Sequence, residues 1–140
     1  MHWQNNKTLA EWGLVVLRVV VGLVFLVHGG QKLLMFGLGG TAGFFGSLGI
    51  PLPMVAAVVV IAVELLGGLA LLLGLGTRYV ALLLAGDMLV AILTVHLPAG
   101  FFVSDGGYEF VLTLLAASLF FALAGPGLLS LDARLTKSSA

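Results

Sequence analysis

Four long apolar stretches, three of them with ionisable residues set inside, constrain this 140-residue chain more than any other feature. The first runs from about Trp12 to Phe36 and holds Arg18, His28 and Lys32. The second, Met54 to Thr77, contains Glu64 as its one charge. The third, Tyr79 to Leu97, holds Asp87 and His96, and the fourth, Phe110 to Leu131, carries no charge. Apolar segments of about twenty residues match the thickness of bilayer hydrocarbon and read as membrane-spanning helices. An ionisable group inside such a helix is costly, so it faces the bundle interior, where it pairs or serves a function.

Hydrophobic residues make up 61% of the chain and charged residues 9%. A soluble domain is about 45–50% apolar and about 25% charged, which excludes that class. The formal net charge of zero gives no footprint for nucleic acid. With no cysteine, disulfides, thiolate metal sites and dithiol redox chemistry are excluded. The predicted fold is all-α: one integral membrane domain, residues 1–140, forming a four-helix bundle. Its spans cover about 12–36, 54–75, 79–97 and 108–125. The front end lacks a small-residue cleavage site and Arg18 interrupts the first run, so that run is read as a retained span rather than a signal peptide.

Connections follow from glycine and proline. Gly37-Leu38-Gly39-Gly40 is expected to stop helix 1, and Thr41 to cap a short helix over residues 42–45. Segment 41–50 is uncharged and too short to span, so it reads as a re-entrant or interfacial piece over the bundle mouth. Gly67, Gly68 and Gly74 permit close helix approach in helix 2. Trp3 and Trp12 sit where interfacial aromatic anchors are expected, and residues 132–140 form a polar tail with a disordered end. Lys7, Arg78, Arg134 and Lys137 share one side of the bundle, against Lys32 on the other. The positive-inside rule then puts both termini in the cytoplasm.

Depth along the helices groups the polar residues. Arg18 and Asp87 each lie about 12 Å from the same membrane face, so they are candidates for an ion pair across helices 1 and 3. The alternative pairs Arg18 with Glu64 and leaves Asp87 protonated; the sequence leaves both open. Glu64 falls near the midplane, about 15 Å down from the other face. His28, Lys32, His96, Tyr108 and Glu109 gather at that other face, and with Glu64 they are the ligand-binding candidates. Simpler readings compete: Lys32 and Glu109 as solvated interfacial residues, His28 as a hydrogen-bonded bundle residue, His96 as a helix end. Glu64, alone in its span, is the hardest to explain without a function. No H-x-x-x-H or E-x-x-H spacing supports a metal site. A haem between His28 and His96 is conceivable geometrically but has no motif behind it. A small aromatic such as a quinone suits an apolar pocket with a few donors and acidic proton relays.

Together the motifs resemble the DoxX family of small four-helix bacterial membrane proteins. They include Leu17-Arg18-Val19, His28-Gly29 with Lys32-Leu33, Thr41-Ala42-Gly43-Phe44-Phe45 and Glu64-Leu65-Leu66-Gly67-Gly68. Gly74-Leu75-Gly76-Thr77-Arg78, Gly100-Phe101-Phe102, Gly107-Tyr108-Glu109 and Gly125-Pro126-Gly127 with Leu131-Asp132 complete the match over about residues 14–132. The resemblance implies a bacterial inner-membrane bundle linked to quinone or catechol stress and to membrane oxidoreductase complexes. Its recurring polar positions correspond to Arg18, His28, Lys32, Glu64, His96 and Glu109. Three functions follow as expectations: binding a quinone or similar aromatic in support of a redox or detoxification system, with an oxidoreductase subunit as the enzymatic form; a non-catalytic assembly factor or accessory subunit; or a small proton-linked transporter. Lipid, an aromatic ligand, oxidoreductase subunits and further copies of the chain are the expected partners.

Overall fold

The computed structural model describes residues Asn6–Ser138, which form helices joined by short turns, with no strand among them. The expectations for Trp3 and for the last two residues of the tail lie outside the described residues. Helix α1 (Asn6–Gly30) runs on through wider π-type turns at Gln31–Phe36. Gly37 then adopts φ 71° and ψ 164°, a conformation that glycine reaches without a Cβ clash, and the chain bends into α2 (Gly37–Ser47). The break is thus one residue wide. Leu38, Gly39 and Gly40 belong to α2, and Thr41 lies within it instead of capping it. The Thr41 hydroxyl sits between the carbonyls of Gly37 (3.0 Å) and Lys32 (3.2 Å), so it serves the backbone groups that the bend frees.

Pro53 occupies the first turn of α3 (Pro53–Leu73), where its missing N–H costs nothing. Helix α4 (Thr77–Ala91) continues through π-type turns at Ile92–His96 and a 3₁₀ turn at Leu97–Ala99. Helix α5 (Glu109–Ala124) and the short α6 (Leu131–Ser138) complete the chain. Three helical stretches, Lys7–Ser47, Pro53–Leu73 and Thr77–Ala99, are long and apolar enough to cross a membrane. The fourth, α5, is shorter: its 16 residues reach about 24 Å.

α1 packs along α3, α4 along α5, and α3 against α4, while α2 folds over α3. The α1–α3 crossing is backbone to backbone. A Cβ on Gly68 would lie 2.5 Å from the Leu26 nitrogen, and one on Gly22 would lie 2.7 Å from the Leu72 nitrogen. Gly29 meets Leu65 in the same way, at 2.7 Å. Small residues of this kind let membrane helices approach where no hydrophobic effect drives them together. The polarity of the bundle is inverted as lipid requires: Arg18, Glu64, Thr77 and Ser118 are buried, while Leu23, Leu66, Leu83 and Leu123 face outward. The core joins Phe25, Leu71, Leu84, Met88, Leu114 and Phe121.

The end of the bundle that carries the termini is closed by polar contacts. Arg18 donates to the carbonyls of Pro126, Leu128 (3.3 Å) and Leu129 (3.0 Å). It therefore pairs with neither Asp87 nor Glu64. Depth alone had suggested those partners, but its guanidinium points to the chain leaving α5. Arg78 donates to the Ala122 and Leu123 carbonyls, 3.0 and 2.6 Å, and so serves the last turn of α5. Asp132 in α6 accepts from the backbone N–H of Gly76 (2.7 Å) and Thr77 (2.9 Å), capping α4 from a distant part of the chain. The tail is therefore helical through Ser138 and anchored at its start.

Gly68→Leu should lower the thermal unfolding midpoint sharply or abolish folding, because backbone lies where the side chain must go; overpacking of this kind costs about 1–3 kcal/mol or more. Gly13→Ala, with open space around it, should leave the melt in detergent close to wild type. Burial pushes the Asp132 carboxyl up, but the N–H groups of Thr77 and Gly76 outweigh it and hold the carboxyl below its ordinary value. Its capping contribution, at most about 1 kcal/mol for a mostly solvated group, is present above the ordinary carboxylate range. It is lost as pH falls from about 4 through the lowered value. Asp132→Asn should flatten that acid limb in a pH series of melts.

Candidate functional site

The bundle is open at the end opposite the termini. Between α1, α2, α3, α4 and α5 lies a cavity of about 710 Å³. Phe25, Phe44, Phe45, Met88 and Phe110 supply much of its apolar wall. His28, Lys32, Thr41, Glu64, Asp87, Thr94 and His96 supply its polar groups. Volumes of about 300–1,000 Å³ with an apolar lining and a few convergent polar groups are usual for small-molecule sites.

The local sequence explains how these groups meet. Gly29 lets α1 touch α3 at Glu64 and Leu65. One turn later, in the wide turns of Gln31–Phe36, Lys32 reaches Glu64. Its Nζ lies 2.7 Å from Oε2 and 2.9 Å from Oε1, a two-pronged ion pair. Glu64 is 3% exposed, so its charge has left water and depends on this partner. Asp87, from α4, faces the same pair within electrostatic reach of Glu64 and Lys32. Its carboxyl group lies within hydrogen-bonding reach of the Glu64 carboxyl. A second carboxyl group thus stands beside the Lys32–Glu64 ion pair at the cavity floor.

Both histidines stand on the wall. The His28 ring makes a tilted contact with Phe110, centroids 6.1 Å apart. His96 lies in the wide turns at the end of the third span, its Nδ1 2.7 Å from the Gly106 carbonyl. That carbonyl can only accept, so Nδ1 carries the proton and Nε2 is the ring's other functional atom. π-type turns are frequent at functional sites, and here they flank the cavity from two helices, carrying Lys32 and His96.

The structure brings together four of the six sequence candidates, His28, Lys32, Glu64 and His96, and adds Asp87 to them. Tyr108 and Glu109 stand apart from the cavity. Tyr108 stacks edge-on against Phe101, and Glu109 accepts from the Val103 N–H at 2.8 Å, holding the loop before α5. The lining also includes Thr41 and Thr94, which sequence reasoning did not single out as site residues. Their signal was weak, a hydroxyl in an apolar run being common in helices.

A lipid-facing helical bundle with a buried acidic and basic cluster defines a small integral membrane protein with an internal cavity. The chain belongs to the DoxX family, whose profile matches residues 13–97. It is 44% identical over 127 residues to a Bacillus subtilis (strain 168) protein named "Putative oxidoreductase CatD", covering 91% of this chain and 89% of that one. It is 33% identical over 126 residues to the inner membrane protein YphA of Escherichia coli (strain K12), covering 86% and 89%. A second protein of that organism, the inner membrane protein YqjF, is 32% identical over 131 residues, covering 94% and 98%. No solved structure matches the chain.

Lys32→Met leaves two carboxyl groups facing each other without a cation and should be the most destabilising change in the cluster, about 3 kcal/mol or more. Glu64→Gln should cost less, since Lys32 can turn to Asp87. The double variant Lys32→Met/Glu64→Leu should melt closer to wild type than Lys32→Met alone. Thermal melts in detergent give the order.

Proposed function

We propose that the cavity binds a quinone-class ring and that the protein supports a membrane redox or detoxification system. The observation that carries this reading is the coincidence of an aromatic-walled cavity with a cluster of ionisable groups at its floor. Ring systems of this class are planar and apolar, with polar atoms at the ring edge. Phenylalanine faces suit the ring, and Lys32, Glu64, Asp87 and the histidines suit its edge. Those side chains supply hydrogen bonds and proton exchange; the electrons of ring chemistry belong to a partner oxidoreductase. The name of the Bacillus subtilis relative is in keeping with such a setting.

In this reading α2 is an interfacial lid. Thr41, Phe44, Phe45 and Ile50 line the cavity, and α2 is held to α3 through Ala42, Phe45 and Ala57. The termini lie in the cytoplasm and the cavity faces outward. Lys7, Arg78, Arg134 and Lys137 stand at one end, while Lys32, the one basic residue assigned to the other, is drawn into the ion pair.

Protein purified in mild detergent should yield a quinone-class molecule on organic extraction. It should also bind menadione or its reduced form, menadiol, in calorimetric titration. Ala91→Phe, which fills the cavity from α4, should reduce that binding at least about tenfold while the protein stays folded. A blank extract, with no binding of either form, would overturn the reading.

A further inference from the structure

The cavity is open along one side as well as at its end. Phe36, at the start of the bend into α2, Phe44 in α2 and Val90 in α4 all line it, yet they are 56%, 50% and 52% exposed. A side chain that lines a cavity and also meets the surroundings stands at an opening. The edge between α2 and α4 is not among the packed seams of the bundle: α2 rests on α3, and α4 rests on α3 and α5. Gly40 is exposed and lines the cavity at the same edge. Beyond its own helix backbone, a Cβ there would meet only the Phe36 Cβ, at 3.8 Å. Phe44 follows Gly40 by one helical turn. Gly40 is thus a notch between two phenylalanines, with open space where a side chain would stand. Val90 and Thr94, also one turn apart, form the facing rim, and the Thr94 hydroxyl donates to the Val90 carbonyl at 2.7 Å. The rim therefore presents neither a charge nor a free donor.

Depth identifies what lies outside this slot. Counted from Thr77 at the start of α4, Val90 and Thr94 lie about 20 and 25 Å along the span, within a hydrocarbon layer about 30 Å thick. Leu34, Met35 and Leu93 beside the rim are exposed, as lipid-facing residues are. We infer that the slot is a lateral portal to the bilayer and that the ligand is dissolved in the membrane: a ring carrying an apolar chain, its polar edge at Lys32 and Glu64, its chain leaving over Gly40 between α2 and α4. The inference rests on the ring-binding reading above and adds the chain and the route. The cavity is ionic at its floor and apolar at the slot, which matches a molecule with one polar and one apolar end. A compact ring fills the floor and leaves the slot empty. A lipid acyl chain by itself fills the slot and leaves the floor empty. A ring joined to a chain meets both, the chain gaining close contacts with Phe36, Phe44 and Val90. Such a molecule passes from bilayer to cavity without crossing water.

The test uses the full chain in detergent and compares menadione with menaquinone-2, the same ring bearing a chain of isoprene units, by calorimetric titration. Each ligand is compared between variants in the same micelles, so its partition into detergent cancels. Gly40→Leu, which fills the notch, should weaken menaquinone-2 binding at least about tenfold and menadione binding less than about threefold. Val90→Trp, which narrows the slot from the facing rim, should act in the same direction and stands in if Gly40→Leu fails to fold. Gly43→Leu, on α2 but outside the cavity lining and with open space around it, should change neither. Menaquinone-2 binding unchanged in the folded variants at Gly40 and Val90, or menadione binding lost in step with it, would overturn the portal and leave the ring-binding reading intact. An equal loss in Gly43→Leu would do the same, as would a wild-type protein that binds menadione and not menaquinone-2. Binding of neither ligand by the wild type would overturn both readings.

Discussion

The backbone-close crossing of α1 on α3 is the contact on which the rest of the structure depends. Lipid is as apolar as leucine, so helices in a bilayer associate through packing rather than hydrophobic exclusion. Gly22 and Gly29 on α1 and Gly68 on α3 remove the side chains that would hold the two backbones apart. The crossing carries a consequence beyond adhesion. Because Gly29 touches α3 at Glu64, the next turn of α1 passes within a lysine's reach of that carboxylate. A bulky residue at the crossing would separate the helices and strand Glu64 without its cation.

The two ends of the bundle are built oppositely. At the terminal end, cations meet backbone: Arg18 and Arg78 satisfy carbonyls of the chain in and after α5, and Asp132 satisfies the N–H groups at the start of α4. These contacts close the helix ends and tie α6 down. At the far end, charge meets charge, with the Lys32–Glu64 ion pair and Asp87 beside it at the floor of an apolar cavity. A closed end and an open one, with the ionisable groups divided between them, give the fold its polarity. They separate a structural use of buried charge from one suited to a ligand.

The approximate helix positions, the turn at Gly74–Gly76 and the start of α5 were legible in the sequence, because hydrophobicity, glycine and proline act locally. Depth was legible only in part, since rise per residue is constant but the level at which each helix starts is set by packing. Arg18 and Asp87, expected at one depth, lie at different levels: Arg18 meets Gly74 and the segment after α5, while Asp87 faces Glu64, about 15 Å further along α3. Lys32, read equally well as an interfacial residue, turns inward on the same helix face as His28 and meets Glu64. Tyr108 and Glu109 sit at the level expected but are taken up by the loop before α5. The tail, polar by composition, is helical because Asp132 finds the open N-terminus of α4.

By itself the sequence determined that the chain lives in a membrane and that the ionisable residues of its apolar helices face inward. Those conclusions rest on transfer free energy and on the fixed rise of a helix, both properties of short segments. The tertiary structure alone decided which charges pair, which hydroxyls are spent on backbone, and that an apolar cavity with a few polar groups remains between α1 and α4. Such choices depend on helix rotation, on a one-residue bend at Gly37 and on the closeness of a glycine crossing. Each is set by contacts between segments distant in sequence, and no local pattern encodes them.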